Sequence, residues 1–136
     1  MKVADRMVRD VVTLEEGQTL REALTTFQRH HIRHIPVVRE GMLIGILTDR
    51  DVKRATPSPL AGAHMEDYDK VIDSTLISQI MTRNPYTVTP STPLRDAVKI
   101  LHDRKNGALP VVEGDRLVGL ITATDMLMDL YRLLPE

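Results

Sequence analysis

Apolar residues recur at helical spacing once in each half of the chain. The spacing i, i+3, i+4, i+7 predicts an amphipathic helix in each half. The two stripes consist of Leu20, Ala23, Leu24 and Phe27, and of Leu94, Ala97, Val98 and Leu101. Thr19 and Glu22 have the T-x-x-E spacing of a capping box. Thr92 before Pro93 predicts an N-cap followed by a proline in the first turn.

Two apolar runs follow each helical stripe, and a glycine-containing turn separates them. This pattern predicts a β-hairpin at residues 35–47 and another at 109–121. Pro36 and Pro110 stand at the strand starts, where a missing N–H is tolerated. A short extended stretch precedes the first helix of each half, at 11–14 and at 86–88. A second helix is predicted after each hairpin, at 49–55 and at 123–134. The order in each half is strand, helix, strand, strand, helix.

The two halves are copies of one another. A shift of 74 residues aligns 7–52 with 81–126 without a gap, and 13 of these 46 pairs are identical. A copy of about 50 residues is a size at which a hydrophobic core is marginal, so we expect the copies to pack as one module around a pseudo-twofold axis. We predict an α+β fold of two pseudo-symmetric β-α-β-β-α repeats. The repeats are placed at 1–55 and 77–136, joined by a linker at 56–76 in which a helix is predicted from His64 to Ile72.

Composition excludes several classes of protein. Apolar residues make up 42% of the chain, and the net charge of −1 gives no electrostatic reason to expect nucleic acid or an anionic membrane. One phenylalanine and three tyrosines are too few to stack on single-stranded nucleic acid. The chain has no cysteine and no apolar run long enough to span a bilayer. A soluble, cytoplasmic protein is expected.

Two motifs occur in both repeats. The first is a hydrophobic residue followed by Pro-Val-Val, at 35–38 and 109–112, and the second is Gly-h-h-Thr-x-x-Asp, at 45–51 and 119–125. Together they resemble a tandem pair of cystathionine-β-synthase (CBS) domains, a Bateman module, over essentially the whole chain. The linker with its prolines at 57 and 59 adds a resemblance to the CBS part of acetoin-utilisation-type proteins.

The repeated residues suit an adenine nucleotide. Asp51 and Asp125, in the first turn of each second helix, can accept both ribose hydroxyls. Thr48 and Thr122 precede them at the N-caps, where hydroxyls and free N–H groups suit an anion. Apolar packing on the adenine is expected from Ile35, Pro36, Leu109 and Pro110. The family resemblance implies the same roles, in a cleft between the repeats, and adds the backbone near Thr13 and Thr87 as the other wall.

The Thr-x-x-Asp motif has a second interpretation. A threonine N-cap followed by an acid that complements the helix dipole is a common way to begin a helix, without any ligand. One threonine can do both, so the two interpretations stay open.

The repeats differ in charge around this motif. Repeat one has Arg33 and His34 before its hairpin where repeat two has Gly107 and Ala108. After the threonine, repeat one adds Arg50, Lys53 and Arg54, which align with Thr124, Leu127 and Met128. Repeat one is therefore richer in donors for phosphate, although Lys53 and Arg54 also fit an ordinary solvated helix face. The resemblance implies phosphate contact for basic residues such as Arg33 and His34.

Metal binding and catalysis are poorly supported. His30 and His34 have the i, i+4 spacing of a helical zinc pair, but His34 is expected in a strand, and no cysteine or nearby acid completes a site. No serine stands in a nucleophile turn, and no Walker glycine-lysine loop is present. We expect neither a metal nor a catalytic cofactor, and no enzymatic activity.

The last helix carries more apolar surface than a peripheral helix needs. Its stripe consists of Leu127, Leu130, Tyr131 and Leu134. This predicts an interface, and the family resemblance implies a homodimer. The sequence thus favours a regulatory module that senses AMP, ADP or ATP and modulates a partner protein of unknown identity. The alternatives are a module for S-adenosylmethionine or another adenosyl ligand, and a purely structural dimerisation module.

Overall fold

The computed structural model describes residues 1–58 and 65–136. The strands are β1 (Leu14–Glu15), β2 (His34–Arg39), β3 (Met42–Thr48), β4 (Thr82–Arg83), β5 (Ala108–Glu113) and β6 (Arg116–Thr122). The helices are α1 (Leu20–His30), α2 (Asp49–Ala55), α3 (Met65–Ser74), α4 (Ile77–Ile80), α5 (Leu94–Arg104) and α6 (Ala123–Leu133), and a short 3₁₀ turn spans Val3–Asp5. The mixed α+β composition is confirmed, and so is the order strand, helix, strand, strand, helix in repeat one. In repeat two the stretch predicted at 86–88 forms only an isolated bridge, from Val88 to Val111, before the expected helix, two strands and helix. The helix predicted from His64 starts outside the described residues, whereas its remainder lies in α3.

The compact units do not coincide with contiguous segments of the chain. One unit combines Met1–Val11 and Gly41–Leu43 with Pro85–Glu136. The other combines Val12–Glu40 with Ile44–Asn84. The segment that precedes each repeat's first strand therefore packs with the hairpin of the other repeat.

The unit built on repeat one is organised around β2 and β3. Strand β1 pairs in parallel with β2, and β4 pairs antiparallel with β3. Its core is closed by α1, α2, α3 and α4 and contains the buried side chains of Leu14, Leu20, Ala23, Ile35, Val37, Leu47, Val52, Ile72, Ile77 and Met81.

On the surface of this unit, the Arg21 guanidinium on α1 donates to the carboxylates of Asp69 and Asp73 on α3. The bond to Arg21 lowers the pKa of the Asp73 carboxyl. Together the bonds connect α3 to α1.

The unit built on repeat two has the same organisation. Strands β5 and β6 form an antiparallel ladder, and Met42 at the start of β3 pairs with Arg116 at the start of β6. Val8 bridges Leu120 through two backbone hydrogen bonds of 2.9 Å. The buried core consists of Val3, Met7, Val88, Ala97, Leu101, Leu109, Val111 and Ile121.

A glycine in each hairpin allows the close approach of the exchanged segment. A Cβ on Gly45 would stand 2.7 Å from Sδ of Met81 and 2.8 Å from the backbone oxygen of Thr82. A Cβ on Gly119 would stand 2.6 Å from Sδ of Met7 and 3.0 Å from the backbone oxygen of Val8. Any side chain at either glycine would collide with the segment that begins the other repeat. The repeated methionine and glycine are therefore partners across the two copies.

Three details of the helices differ from the sequence expectation. Thr92 does not cap α5, because its hydroxyl accepts from the N–H of Thr89 and the N-cap is Pro93. Val98 is 41% exposed, because α5 turns Ile100 towards the core instead. Thr19 does cap α1, but the Glu22 carboxylate accepts from the Gln18 side-chain amide, so the capping box is not closed.

Within the described ranges, no helix combines the length and the apolar character that a bilayer crossing requires.

Replacement of Gly45 by alanine should destabilise the protein. The added methyl group meets a backbone oxygen as well as a flexible methionine, so relief requires backbone movement, and overpacking of this kind costs about 1–3 kcal/mol. Urea unfolding followed by circular dichroism measures the change. Gly17→Ala is the matched control, because nothing lies within 4 Å of a Cβ at that position. Equal midpoints for the two variants would show that the strand exchange does not depend on this contact.

Candidate functional site

The predicted wall residues meet in each unit through a parallel pairing. Leu14 pairs with Val37, and at the equivalent place in repeat two Val88 pairs with Val111. Thr13 and Thr87 directly precede Leu14 and Val88 in the chain, as Pro36 and Pro110 precede their partners. In repeat two the N–H of Val88 also donates to the carbonyl of Pro110 over 3.1 Å. Thr13 and Thr87 are both exposed, so their surfaces are accessible.

The hydrophobic-proline residues are fully buried. Ile35 and Leu109 have no exposed surface, and Pro36 and Pro110 are below 2%. The side chains of Ile35 and Leu109 belong to the cores of their respective units. These values cover the backbone and the side chain together, so neither part of these four residues is open to solvent.

A backbone hydrogen bond ties the start of each hairpin to the second helix. The N–H of Asp49 donates to the carbonyl of Arg33 over 3.0 Å, and the N–H of Ala123 donates to the carbonyl of Gly107 over 2.9 Å. In repeat two, Ala108 also stands opposite Thr122 in the β5–β6 ladder. The residues that precede each hairpin are thus held beside the threonine that begins the following helix.

Thr48 and Thr122 cap their helices as predicted. Oγ1 of Thr48 accepts from the N–H of Asp51, and Oγ1 of Thr122 accepts from the N–H of Asp125, each over 3.1 Å. Both acids are half-buried in the first turn. The capping interpretation of the Thr-x-x-Asp motif is therefore correct for the threonine, and this leaves the carboxylate as the group to examine for a ligand.

The two carboxylates differ in what they bind. Oδ2 of Asp51 accepts from the backbone N–H of Thr48 over 2.9 Å, which closes a capping box. Across the part of the chain that the structure describes, the Asp125 carboxylate accepts no hydrogen bond and forms no ion pair. The motif has the same letters in both repeats, so the sequence carried no signal for this difference.

His34 is the titratable side chain whose environment at this site is most altered. Burial lowers the pKa of the His34 imidazole, Asp49 and Asp51 act against that shift, and Arg33 adds to it. Asp49, Asp51 and Arg33 all lie close enough to the His34 imidazole to act on its charge. The sequence-predicted residues Arg33, His34 and Asp51 are therefore brought together in one unit.

Three cations of repeat one near the Thr-x-x-Asp motif have no partner among the described residues. Arg33, Arg50 and Lys53 are exposed, and among the residues placed in the structure none of them forms a side-chain hydrogen bond or an ion pair. Elsewhere on the surface, Arg21, Arg39 and Lys99 are each paired with an acid. The cations beside Asp51 thus remain available to an anionic group.

His30 and His34 lie on different elements of secondary structure. His30 ends α1 and His34 begins β2, as expected from the sequence, so they are not on one helix face. No group of three histidine or acidic side chains suited to a metal occurs within residues 1–58 and 65–136.

The lowered pKa of His34 predicts a pH dependence of stability. The folded state binds a proton at His34 less readily than the unfolded state does. The stabilising contribution is therefore fully present above the unfolded pKa of about 6.5 and is lost as the pH falls through the folded value. His34→Gln should flatten the fall in unfolding free energy between about pH 7 and pH 5. Urea unfolding at several pH values tests this, with the exposed His30→Gln as the control that should keep the wild-type slope.

Comparison with known proteins agrees with this architecture. The profile of the CBS domain family matches residues 3–58 and 77–132. A CBS domain-containing protein of Dictyostelium discoideum is 34% identical over 134 residues, which are 97% of this chain and 92% of that protein.

Solved structures show the same fold. The crystal structure of a protein assigned to acetoin utilization (AcuB) from Vibrio cholerae has a TM-score of 0.83 and 30% identity, and covers 98% of this chain and 92% of that one. The CBS domain pair of protein MJ0100, solved in complex with 5′-methylthioadenosine and S-adenosyl-L-methionine, has a TM-score of 0.80, 26% identity and 98% coverage of both chains. With its two matched repeats, this chain belongs to the CBS domain family.

Proposed function

We propose that this CBS pair is a regulatory module that binds an adenine nucleotide, AMP, ADP or ATP, through repeat one. The supporting observation is the group of unpaired cations Arg33, Arg50 and Lys53 beside the half-buried Asp51. A nucleotide presents a ribose that needs an acceptor and phosphates that need cationic donors. Repeat one offers both within one unit.

The ribose acceptor is Asp51. One of its oxygens is occupied by the N–H of Thr48, but a carboxylate has about four lone-pair positions, so the remaining ones can accept ribose hydroxyls. The capping box also restricts the rotamers of the acid, so less conformational entropy is lost when a ligand binds. Cap and ribose acceptor are thus compatible roles for the same residue.

The phosphate donors are Arg33, His34, Arg50 and Lys53. Arg33 is held beside α2 by its backbone bond to Asp49, and Arg50 and Lys53 extend from α2 itself. The side of the site for the base is assigned to Thr13, which is exposed, with Ile35 and Pro36 buried in the same unit. The equivalent groups in repeat two are Thr87, Ala108, Leu109, Pro110, Thr122 and Asp125. No cation stands there at the positions that match Arg33, His34, Arg50 and Lys53.

The module would act in the cytoplasm, where adenine nucleotides report energy state, and would alter a partner protein. A ligand can do this only if it binds two arrangements of the module with different affinity. Catalysis forms no part of this proposal, because the residues at the site bind and orient a ligand and none is placed as a nucleophile or a general base.

S-adenosylmethionine or another adenosyl ligand is the second candidate. It is favoured by the complex of the MJ0100 CBS pair with 5′-methylthioadenosine and S-adenosyl-L-methionine, at 26% identity. Calorimetric titration of the purified chain with AMP, ADP, ATP, S-adenosylmethionine and adenosine distinguishes the candidates. Binding of S-adenosylmethionine as tight as that of the nucleotides would favour the second candidate. Failure of the whole panel would favour a purely structural module.

Arg33→Gln should weaken nucleotide binding roughly tenfold or more, because a hydrogen bond to a charged group contributes about 1.5–3 kcal/mol. Adenosine binding should change little, since it has no phosphate. Arg29→Gln is the control, because it removes an exposed arginine from the last turn of α1. Equal losses for AMP and adenosine would mean that Arg33 supports the fold of the site rather than the phosphate.

We also propose that α6 mediates a homodimer. Leu127, Leu130, Tyr131 and Leu134 are 50–73% exposed, so the apolar stripe is uncovered in a single chain. Leu130→Glu should shift the mass measured by light scattering from two chains towards one, because a charge would be buried without a partner. Arg132→Gln on the polar side of α6 should leave the mass unchanged. A monomeric wild-type protein at tens of micromolar would contradict this prediction.

A further inference from the structure

We infer that Asn106 and Gly107 form a self-modifying site, at which the asparagine side chain cyclises onto the main chain and is converted to isoaspartate or aspartate. The two residues lie between the end of α5 and the start of β5. The reaction consumes only water and needs neither a ligand nor another protein. It therefore does not depend on the nucleotide binding proposed above.

The chemistry follows from the residue that comes after the asparagine. The backbone nitrogen of Gly107 attacks Cγ of Asn106, so that an N–Cγ bond forms, the Cγ–Nδ2 bond breaks, and ammonia leaves with the proton of the attacking nitrogen. Water then opens the five-membered succinimide ring at either of its two carbonyl carbons. Cleavage at the former backbone carbonyl leaves isoaspartate, whose main chain runs through Cβ and Cγ, and cleavage at Cγ leaves aspartate. Glycine favours the ring because it has no Cβ to hinder the attack and reaches many backbone conformations.

The chain contains two asparagines, and one of them is a built-in control. Asn84 precedes Pro85, whose nitrogen has no hydrogen to give up, so it cannot form the ring. At the positions of repeat one that match Asn106 and Gly107 stand Ile32 and Arg33. The site therefore belongs to repeat two alone.

Both reacting groups are unengaged in the folded chain. Within residues 1–58 and 65–136, the Asn106 side chain forms no hydrogen bond, and the N–H of Gly107 donates to no acceptor. Both residues are half-buried rather than enclosed in a core, so water can reach them. An asparagine that precedes an N–H of a helix or a β-ladder would first have to break that hydrogen bond. At this site no such bond opposes ring closure.

The neighbours of the site are anchored on both sides. Lys105 ends α5 in the left-handed conformation, and its N–H donates to the carbonyl of His102 over 3.3 Å. The carbonyl of Gly107 accepts from the N–H of Ala123 over 2.9 Å, at the start of α6. Isoaspartate at position 106 adds one methylene to the main chain between these anchors. The longer main chain displaces the Gly107 carbonyl from Ala123, so the modification loosens the first turn of α6.

The conversion is tested by incubation of the full chain at mildly alkaline pH, followed by mass-spectrometric peptide mapping that distinguishes isoaspartate from aspartate. Both products should accumulate at position 106, at a rate that rises with pH because the attacking nitrogen loses its proton, whereas Asn84 should stay intact. Gly107→Ala should slow the conversion at least roughly twofold to fivefold, as expected from the lost backbone freedom. Asn106→Gln should show no conversion on the same timescale, because its ring would need six members.

A synthetic peptide of residues 102–110 gives the rate without the fold. A folded chain that keeps Asn106 intact while the peptide converts would overturn the inference, because the fold would then hold the two reacting groups apart. Equal conversion of Asn84 and Asn106 would also overturn it, because the ring cannot form at Asn84.

The effect on α6 is measured by the melting temperature of the modified chain, purified by anion exchange. The isoaspartate form should melt roughly 2–6 °C below the fresh protein, as expected for the loss of one backbone hydrogen bond. Asn106→Asp has the same added charge without the added methylene, so it should melt at the wild-type temperature. An equal fall in Asn106→Asp, or no fall in the isoaspartate form, would overturn the link between the modification and α6.

Discussion

The contact of a methionine with a glycine is the constraint on which the rest of this structure depends. Met81 covers Gly45 and Met7 covers Gly119, each at a distance that leaves no room for a Cβ. The contact lets Thr82 and Arg83 pair with β3, and lets Val8 bridge Leu120 in β6. Because β3 and β6 lead directly into α2 and α6, these pairings also fix the strands that present Thr48 and Thr122.

A single backbone hydrogen bond in each unit then assembles the candidate site. The bond from Asp49 to Arg33, and its counterpart from Ala123 to Gly107, joins residues on the two sides of a hairpin. The bond involves only the main chain, so the side chains at these positions are free to differ. This explains how two copies with one backbone geometry can carry Arg33 in repeat one and Gly107 at the matching position in repeat two.

Local signals made most of the fold predictable. The spacing of Leu20, Ala23 and Phe27 indicates α1, and the hydrophobic-proline runs indicate the starts of β2 and β5, because these patterns reflect nearest neighbours along the chain. The exchange of the N-terminal segment was not predictable in this way, since the partner of Met7 lies more than a hundred residues further along the chain. The Thr-x-x-Asp motif predicted both caps. It could not show that Asp51 closes a capping box and Asp125 does not, because that depends on a side-chain rotamer and not on residue identity.

The exchanged segments have a consequence for the order in which the protein forms during synthesis. The unit that comprises Val12–Glu40 and Ile44–Asn84 has all its residues once Asn84 has left the ribosome. The other unit must keep Met1–Val11 unpaired until β6 has been made, so its closure is the later event and spans most of the chain. Contacts of such long sequence separation are slow to form. Met1–Val11 is made well before β6 and is among the last of the described segments to reach its final place. Until then, the β6 backbone that pairs with Val8 is an open strand edge exposed to other nascent chains.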